Sequence, residues 1–186
     1  MSLRIQGLTI VEDYLERASE AALIDQIDQS PWRRDLKRRT QHYGFRYDYS
    51  SRAATHDSYL GPLPTWITPL VKKVKSAFAV RHTQDQIIVN EYQPGQGIAP
   101  HVDCPRSFRS PIISLSLGSG IEMEFKRGER VERLYLQPRS LIVLQGAARY
   151  DWTHAIRPRK NDVIASHRVA RQRRISITFR WLNNEG

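Results

Sequence analysis

From Asp85 onward the chain is a series of short β-rich runs, and this constrains its fold more than any other feature. "QIIVNEY", "PIISLSL", "IEMEF", "RLYL", "SLIVLQ" and "RRISITFRW" follow one another, separated by turn signals such as "LGSG" and "KRGER". Spaced short strands of this kind predict a sandwich or barrel. Ahead of them, "SEAALIDQIDQSPW" predicts a helix ended by Pro31, and "TPLVKKVKSAF" predicts a second. In the second, Thr68 would be the cap and Pro69 the first helical residue, with Leu70, Val71, Val74 and Phe78 as the buried stripe. Both helices would pack on the outside of the β core. Between them, Thr40–Pro64 is rich in Tyr, Ser and Gly without a clear period and reads as a loop. A loop of that length is usually functional or mobile.

A chain of 186 residues suits one domain with a real core. With 40% hydrophobic and 26% charged residues it is an ordered soluble protein rather than a disordered one. The longest apolar runs, such as "LIVL", are too short to cross a bilayer, and "MSLRIQGL" has no signal-peptide core. The single cysteine, Cys104, rules out an internal disulfide and a cysteine-cage zinc site. A cytoplasmic protein is expected, and nothing demands more than a monomer. The net charge is +10, concentrated in "RRDLKRR" at Arg33–Arg39 and in the C-terminal third. A polyanion such as nucleic acid is the natural partner of such a surface, although a merely solvated basic face has the same composition.

The stretch "IAPHVDCP" sets His101 and Asp103 two residues apart. In a strand such residues share a face, so both could reach one ion. Alone, the pair is a weak signal. A second histidine would complete a two-histidine, one-carboxylate triad, which leaves open positions on iron(II) for oxygen chemistry. His154, in the β-like "YDWTHAI", is the best candidate; His167 reads as a loop residue, and His42, His56 and His82 precede the β core. In "RRISITFRW", Arg174, Ser176, Thr178 and Arg180 share one face of a strand and Ile175, Ile177 and Phe179 the other. Two arginines facing into a small β domain are costly unless anions meet them. An edge strand with a solvated face would also accommodate them. A dicarboxylate cosubstrate is what a bidentate arginine suits.

"NEYQPGQGIAPHVD", "ISLSLGSG", "WTHAI" and "RRISITFR", in that order, resemble the AlkB family of iron(II)/2-oxoglutarate dioxygenases. The resemblance runs from about Ile87 to Trp181, and Thr40–Pro64 more loosely resembles the family's substrate-covering lid. It implies a mainly β protein with flanking helices, built on a double-stranded β-helix or jelly roll. One domain over residues 1–186 is expected, with helices and lid in 1–84 and the jelly-roll core in 85–186. His101, Asp103 and His154 would bind iron(II), the first two from one strand that the preceding glycines turn into the barrel mouth. Arg174 would pair with the distal carboxylate of 2-oxoglutarate, and Arg180 would sit near its iron-bound end. Asn90, Tyr92 and Ser176 would add polar contacts to it. The implied chemistry consumes oxygen and 2-oxoglutarate, releases succinate and carbon dioxide, and hydroxylates a C–H bond of the substrate.

The resemblance also implies a flipped base held between aromatic walls. His101 would form one wall, and Tyr43, Phe45, Tyr47 and Tyr49 are candidates for the other; each of these four reads equally as an ordinary strand aromatic. Two substrates fit. Oxidative dealkylation repair of DNA or RNA bases, with release of an aldehyde, is the main expectation. Hydroxylation of a modified wobble uridine in tRNA is the alternative, and the motifs lie closer to the tRNA-modifying animal branch. That branch carries an RNA-recognition module and a methyltransferase domain, and no second fold is evident in this sequence. Some repair members place a carboxylate after the His-x-Asp, where this chain has "CPRSF". A non-enzymatic binder on a degenerate jelly roll would have lost a triad member, and all three are present. A dioxygenase acting on protein or lipid is the remaining class.

Overall fold

The computed structural model describes residues 5–51 and 53–183; the first four residues of "MSLRIQGL", and Arg52 in the expected lid, lie outside them. The elements in chain order are β1 (Leu8–Val11), α1 (Arg17–Gln29), β2 (Thr40–Tyr43), α2 (Thr68–Ala77), β3 (Asp85–Tyr92), β4 (Ile98–His101), β5 (Ile112–Gly118), β6 (Ile121–Arg127), β7 (Arg130–Leu136), β8 (Leu141–Leu144), α3 (Gly146–Tyr150), β9 (Thr153–Ile156), β10 (Asn161–Ile164), β11 (His167–Ala170) and β12 (Arg174–Trp181).

A six-stranded sheet in the order β1-β8-β5-β12-β3-β2 faces a four-stranded sheet in the order β4-β9-β6-β7, and β10 and β11 form a separate hairpin. Their named pairings are antiparallel. This is the double-stranded β-helix expected from the sequence. Two apolar cores follow from strand alternation. Ile175, Ile177 and Phe179 of β12 join Leu70, Val71 and Val74 of α2 on the outer side of the large sheet. Phe125, Ile142, Leu144 and Trp152 belong to a second core, between the two sheets. Arg174, Ser176, Thr178 and Arg180 point to that inner side, where they line a cavity.

β12 is not an edge strand. It pairs with β3 on one side and β5 on the other, so the arginine face has no route to bulk solvent along a sheet edge. The N-terminal part is also more than helices and lid. β1 pairs with β8, and β2 pairs with β3, so the sheet does not begin at residue 85. Thr40–Tyr43, expected in the loop, is strand because β3 offers it a free edge. At α2 the cap is Ile67; Thr68 is already helical and its hydroxyl donates back to the carbonyl of Pro64 at 3.0 Å. Phe78 follows the helix and packs against the core. His167 opens β11 rather than lying in a loop, and it is exposed.

The hairpin is anchored at its base by charge. Asp162, 1% exposed, accepts from Arg171 Nε at 2.9 Å and Nη2 at 2.7 Å, and from Arg159 Nε at 3.0 Å. Arg159 also pairs with Glu122 of β6. The Glu122 amide adds a fourth donor at 3.2 Å, two to each carboxylate oxygen, which is what makes the burial of Asp162 tolerable.

Candidate active site

The turn "YQPGQG" delivers β4 to the mouth of the β-helix. Gly95 has φ +92°, and a Cβ on Gly97 would lie 2.2 Å from the carbonyl oxygen of Ile156. No other residue fits at Gly97 without moving the backbone. β4 then pairs with β9 so that His101 lies directly opposite His154, their ring centroids 4.3 Å apart.

His101 and Asp103 do not come from one strand as expected. β4 ends at His101, its pairing already irregular between Ile98 and His101. Pro100 lacks the N–H that would continue a ladder. Asp103 is placed instead by two arginines. Arg149, 1% exposed on α3, donates from Nη1 to the Asp103 carbonyl at 2.7 Å and from Nη2 to the Phe108 carbonyl at 3.0 Å. Arg180 Nη2 meets Asp103 Oδ1 at 2.5 Å. The other carboxylate oxygen, Oδ2, lies 3.6 Å from His154 Nε2.

One ligand atom from each of His101, Asp103 and His154 lies within 4.8 Å of the others. The donor set is ready for a cation. His101 Nδ1 is 2.8 Å from the Ala99 carbonyl. A carbonyl can only accept, so Nδ1 carries a proton and Nε2 is the ring atom turned to a cation. Burial, and His101 beside it, push His154 down to about 3, so its imidazole is neutral at pH 7. Burial is the largest single influence on Asp103 and opposes its ionisation, but Arg180, His154, His101 and Arg149 together outweigh it and hold the carboxyl well below the usual range. Two imidazoles and one carboxylate on the same side of an ion are the set that suits iron(II) with open positions.

Beneath the triad, between the sheets, Asn90, Tyr92, Arg174 and Ser176 line one cavity together with Ile112, Ile142 and Leu144. Arg174 is 1% exposed and donates from Nη2 to Ser116 Oγ at 2.9 Å. Its Nε and Nη1 are buried without a hydrogen-bond partner among the described residues. Burial pushes its guanidinium down to about 10, so it remains charged at pH 7. A buried cation with unmet donors calls for an anion. A carboxylate of 2-oxoglutarate fits that need.

Above the triad, a second and larger cavity opens, about 380 Å³ against about 50 Å³. Tyr47, Tyr49, His101 and Arg38 are among its walls. Two of the four expected lid aromatics are therefore at the site and two are not. Tyr43 packs edge-on against Trp66 and its hydroxyl donates to Gln41. Phe45 is buried against Tyr59 and His56. Alternation would have kept all four on one face; the strand ends at Tyr43 and the chain bends at Gly44, φ +74°, so the later aromatics leave that face.

His42, Arg38 and Arg149 carry roles that sequence reasoning missed. The Tyr47 amide donates to His42 Nδ1 at 3.3 Å, which puts the ring proton on Nε2, 3.3 Å from the Tyr49 hydroxyl. One imidazole thus holds both lid tyrosines. Burial, with Arg33 and Arg180 nearby, pushes it down to about 4. The only hint in the sequence is the clustering of "HYGFRYDY".

A family model described as the 2OG-Fe(II) oxygenase superfamily matches residues 7–180. An uncharacterized protein of Acanthamoeba polyphaga mimivirus, L905, is 38% identical over 95% of this chain and 85% of its own length. The tRNA (carboxymethyluridine(34)-5-O)-methyltransferase alkbh8 of Xenopus tropicalis is 40% identical over 164 residues, covering 85% of this chain. The chain matches only 26% of that relative's length. Among solved structures, OsALKBH1 superposes with a TM-score of 0.70 over 97% of this chain and 99% of its own, at 19% identity, and so shows the same fold. With the triad and the anion-seeking arginine both inside the matched span, the chain belongs to the 2OG-Fe(II) oxygenase superfamily, in its AlkB-like branch, and uses iron(II) and 2-oxoglutarate.

Proposed function

We propose that this oxygenase hydroxylates a modified uridine at the wobble position of tRNA. The observation that carries the reading is the 40% identity to a relative whose name states action on a tRNA uridine. The cavity above the triad supports it, with Tyr47, Tyr49 and His101 placed to hold a base and Arg38 beside them.

In this reading His101, Asp103 and His154 would hold the iron. Bound iron(II), with 2-oxoglutarate and oxygen, supplies hydroxylation of a C–H bond. Arg174 binds the far carboxylate of 2-oxoglutarate through Nε and Nη1, and Ser176, Tyr92 and Asn90 complete its polar surroundings. Ile112, Ile142 and Leu144 keep water from that end of the site. Arg180 fixes the free oxygen of Asp103 and keeps it from rotating toward His154. Tyr47 and Tyr49 would hold the base in the cavity that His101 and Asp103 also line, and so set which of its atoms is presented to the reaction.

Dealkylation repair would use the same machinery on an alkyl group attached to a base nitrogen. It has less support. Asp103 is the only carboxylate among the residues lining the substrate cavity, and Arg180 occupies it. No further acid stands there to receive the amino group of adenine or cytosine.

The test is anaerobic reconstitution with iron(II) and 2-oxoglutarate, then oxygen and a mixed panel. The panel holds tRNA with carboxymethyluridine or its methyl ester, and oligonucleotides with N-methylated and etheno bases. A gain of one oxygen on the tRNA uridine is expected. Loss of methyl or etheno groups with the tRNA untouched would replace this reading with repair.

A further inference from the structure

The basic run Arg33–Arg39 does not act as one patch. Arg33 is paired with Asp35, and Arg39 with Glu91. Arg38 has no carboxylate partner among the described residues. Its Nε donates to Asn90 Oδ1 at 2.9 Å, and its guanidinium carbon lies 5.9 Å from the centre of the Tyr49 ring. Those two contacts fix the plane of the group and leave both terminal nitrogens without a protein acceptor among the described residues.

Arg38 is half-buried and lines the cavity above His101 and Asp103. The single carboxylate in that lining is already held by Arg180 at 2.5 Å. A fixed guanidinium with two free nitrogens, beside a tyrosine and facing apolar Ile88, Ile98 and Val102, is a socket for an anion with two oxygens. Lysine at this position could not present that fork.

We propose that Arg38 is the specificity-determining residue of the substrate cavity, binding an oxyanion of the nucleotide that enters it. This rests on the nucleic-acid reading above. The oxyanion has two sources with one chemistry: a carboxylate carried by the base, or the phosphate of the same nucleotide. The bond to Asn90 gives the contact a second effect. It engages the Asn90 carbonyl oxygen and so orients an amide that also lines the cosubstrate cavity. The nucleotide and 2-oxoglutarate thus meet opposite ends of one hydrogen-bonded pair. Arg34 and Lys37 are exposed, have no salt-bridge partner among the described residues, and border the adjoining hollow with Gln93 and Gln96. They offer the next positive charges for flanking phosphates.

The experiment is fluorescence anisotropy of the anaerobic, iron-loaded protein with two anticodon stem-loop RNAs. One carries uridine at the wobble position and the other carboxymethyluridine. Arg38→Gln is expected to bind the carboxymethyl RNA about tenfold more weakly than wild type, the worth of one charge-assisted contact. A loss confined to that RNA names the base carboxylate. An equal loss on both, with a salt dependence shallower by about one charge, names the phosphate. Arg38→Lys keeps the charge and loses the fork, and it is expected to lose at least half of the discrimination; it serves if the glutamine variant is unstable. Wild-type affinity of both variants for both RNAs, or no binding by wild type, overturns the proposal. Binding needs no turnover. A protein that binds through Arg38 yet adds no oxygen to the uridine would therefore sink the hydroxylase reading and leave this one standing.

Discussion

Arg180 Nη2 and Asp103 Oδ1 lie 2.5 Å apart, so the carboxylate of the triad is itself held by a neighbouring cation. The arginine leaves Oδ2 facing His154 and the open side of the site. Arg180→Ala should weaken iron(II) or cobalt(II) binding by tenfold or more, the usual cost of losing a partner that orients a metal ligand. Arg180→Lys should recover part of it. A metal titration with wild-type affinity in the alanine variant would remove Arg180 from this role.

Arg174 is a buried cation whose Nε and Nη1 have no hydrogen-bond partner among the described residues. Such a group contributes little to folding and much to anion binding. Arg174→Met should melt at or above the wild-type temperature in the absence of 2-oxoglutarate. Added 2-oxoglutarate should raise the wild-type melting temperature and leave that of the variant where it was. A ligand-induced rise of equal size in both would place the cosubstrate elsewhere.

Arg149 is the fastening of the loop that carries Asp103. Arg149→Met removes the donors to two carbonyls at once and should cost about 2–6 kcal/mol in unfolding free energy, at about 1–3 kcal/mol for each buried group left unpaired. Chemical denaturation measures it, and a loss under about 1 kcal/mol would mean that the carbonyls find other donors.

His42 holds Tyr47 and Tyr49 as a neutral ring, with its ionisation pushed down to about 4. An unfolded histidine titrates near pH 6.5, so between about 6.5 and 4 the unfolded chain binds the extra proton. The stability this residue contributes is present above pH 6.5 and is lost as pH falls toward 4. His154 loses stability in the same window, so the difference between wild type and His42→Gln isolates the lid histidine. Metal-free wild-type protein should lose stability more steeply than the variant across this range. Parallel curves would contradict the assignment.

Much of the site was legible in the sequence because its parts obey short-range rules. The i, i+2 alternation of "RRISITFRW" put Arg174, Ser176 and Arg180 on one face, and β12 has that face turned inward. The order of His101, Asp103 and His154 carried the triad. What was not legible depends on partners far along the chain. "TQHY" has no apolar alternation; β2 exists because β3 pairs with it and because buried Gln41 donates to the carbonyls of Ile27 and Ser30. Asp103 leaves the strand because Arg149 and Arg180 hold it from outside. Arg38 looked like any other charge in "RRDLKRR" until Arg33 and Arg39 found carboxylates and it did not. The hairpin of β10 and β11 is short and polar, and its signal is the buried pairing of Asp162 with Arg171, which lies nine positions away.

The most direct measurement is anaerobic addition of 2-oxoglutarate to the iron(II)-loaded protein, followed by visible absorption. If His101, Asp103 and His154 hold the metal and Arg174 receives the cosubstrate, a charge-transfer band develops in wild type and saturates at one equivalent of each. It is absent in Asp103→Ala and shifted to higher 2-oxoglutarate in Arg174→Met. No band in wild type, or the same titration in Asp103→Ala, would contradict the account.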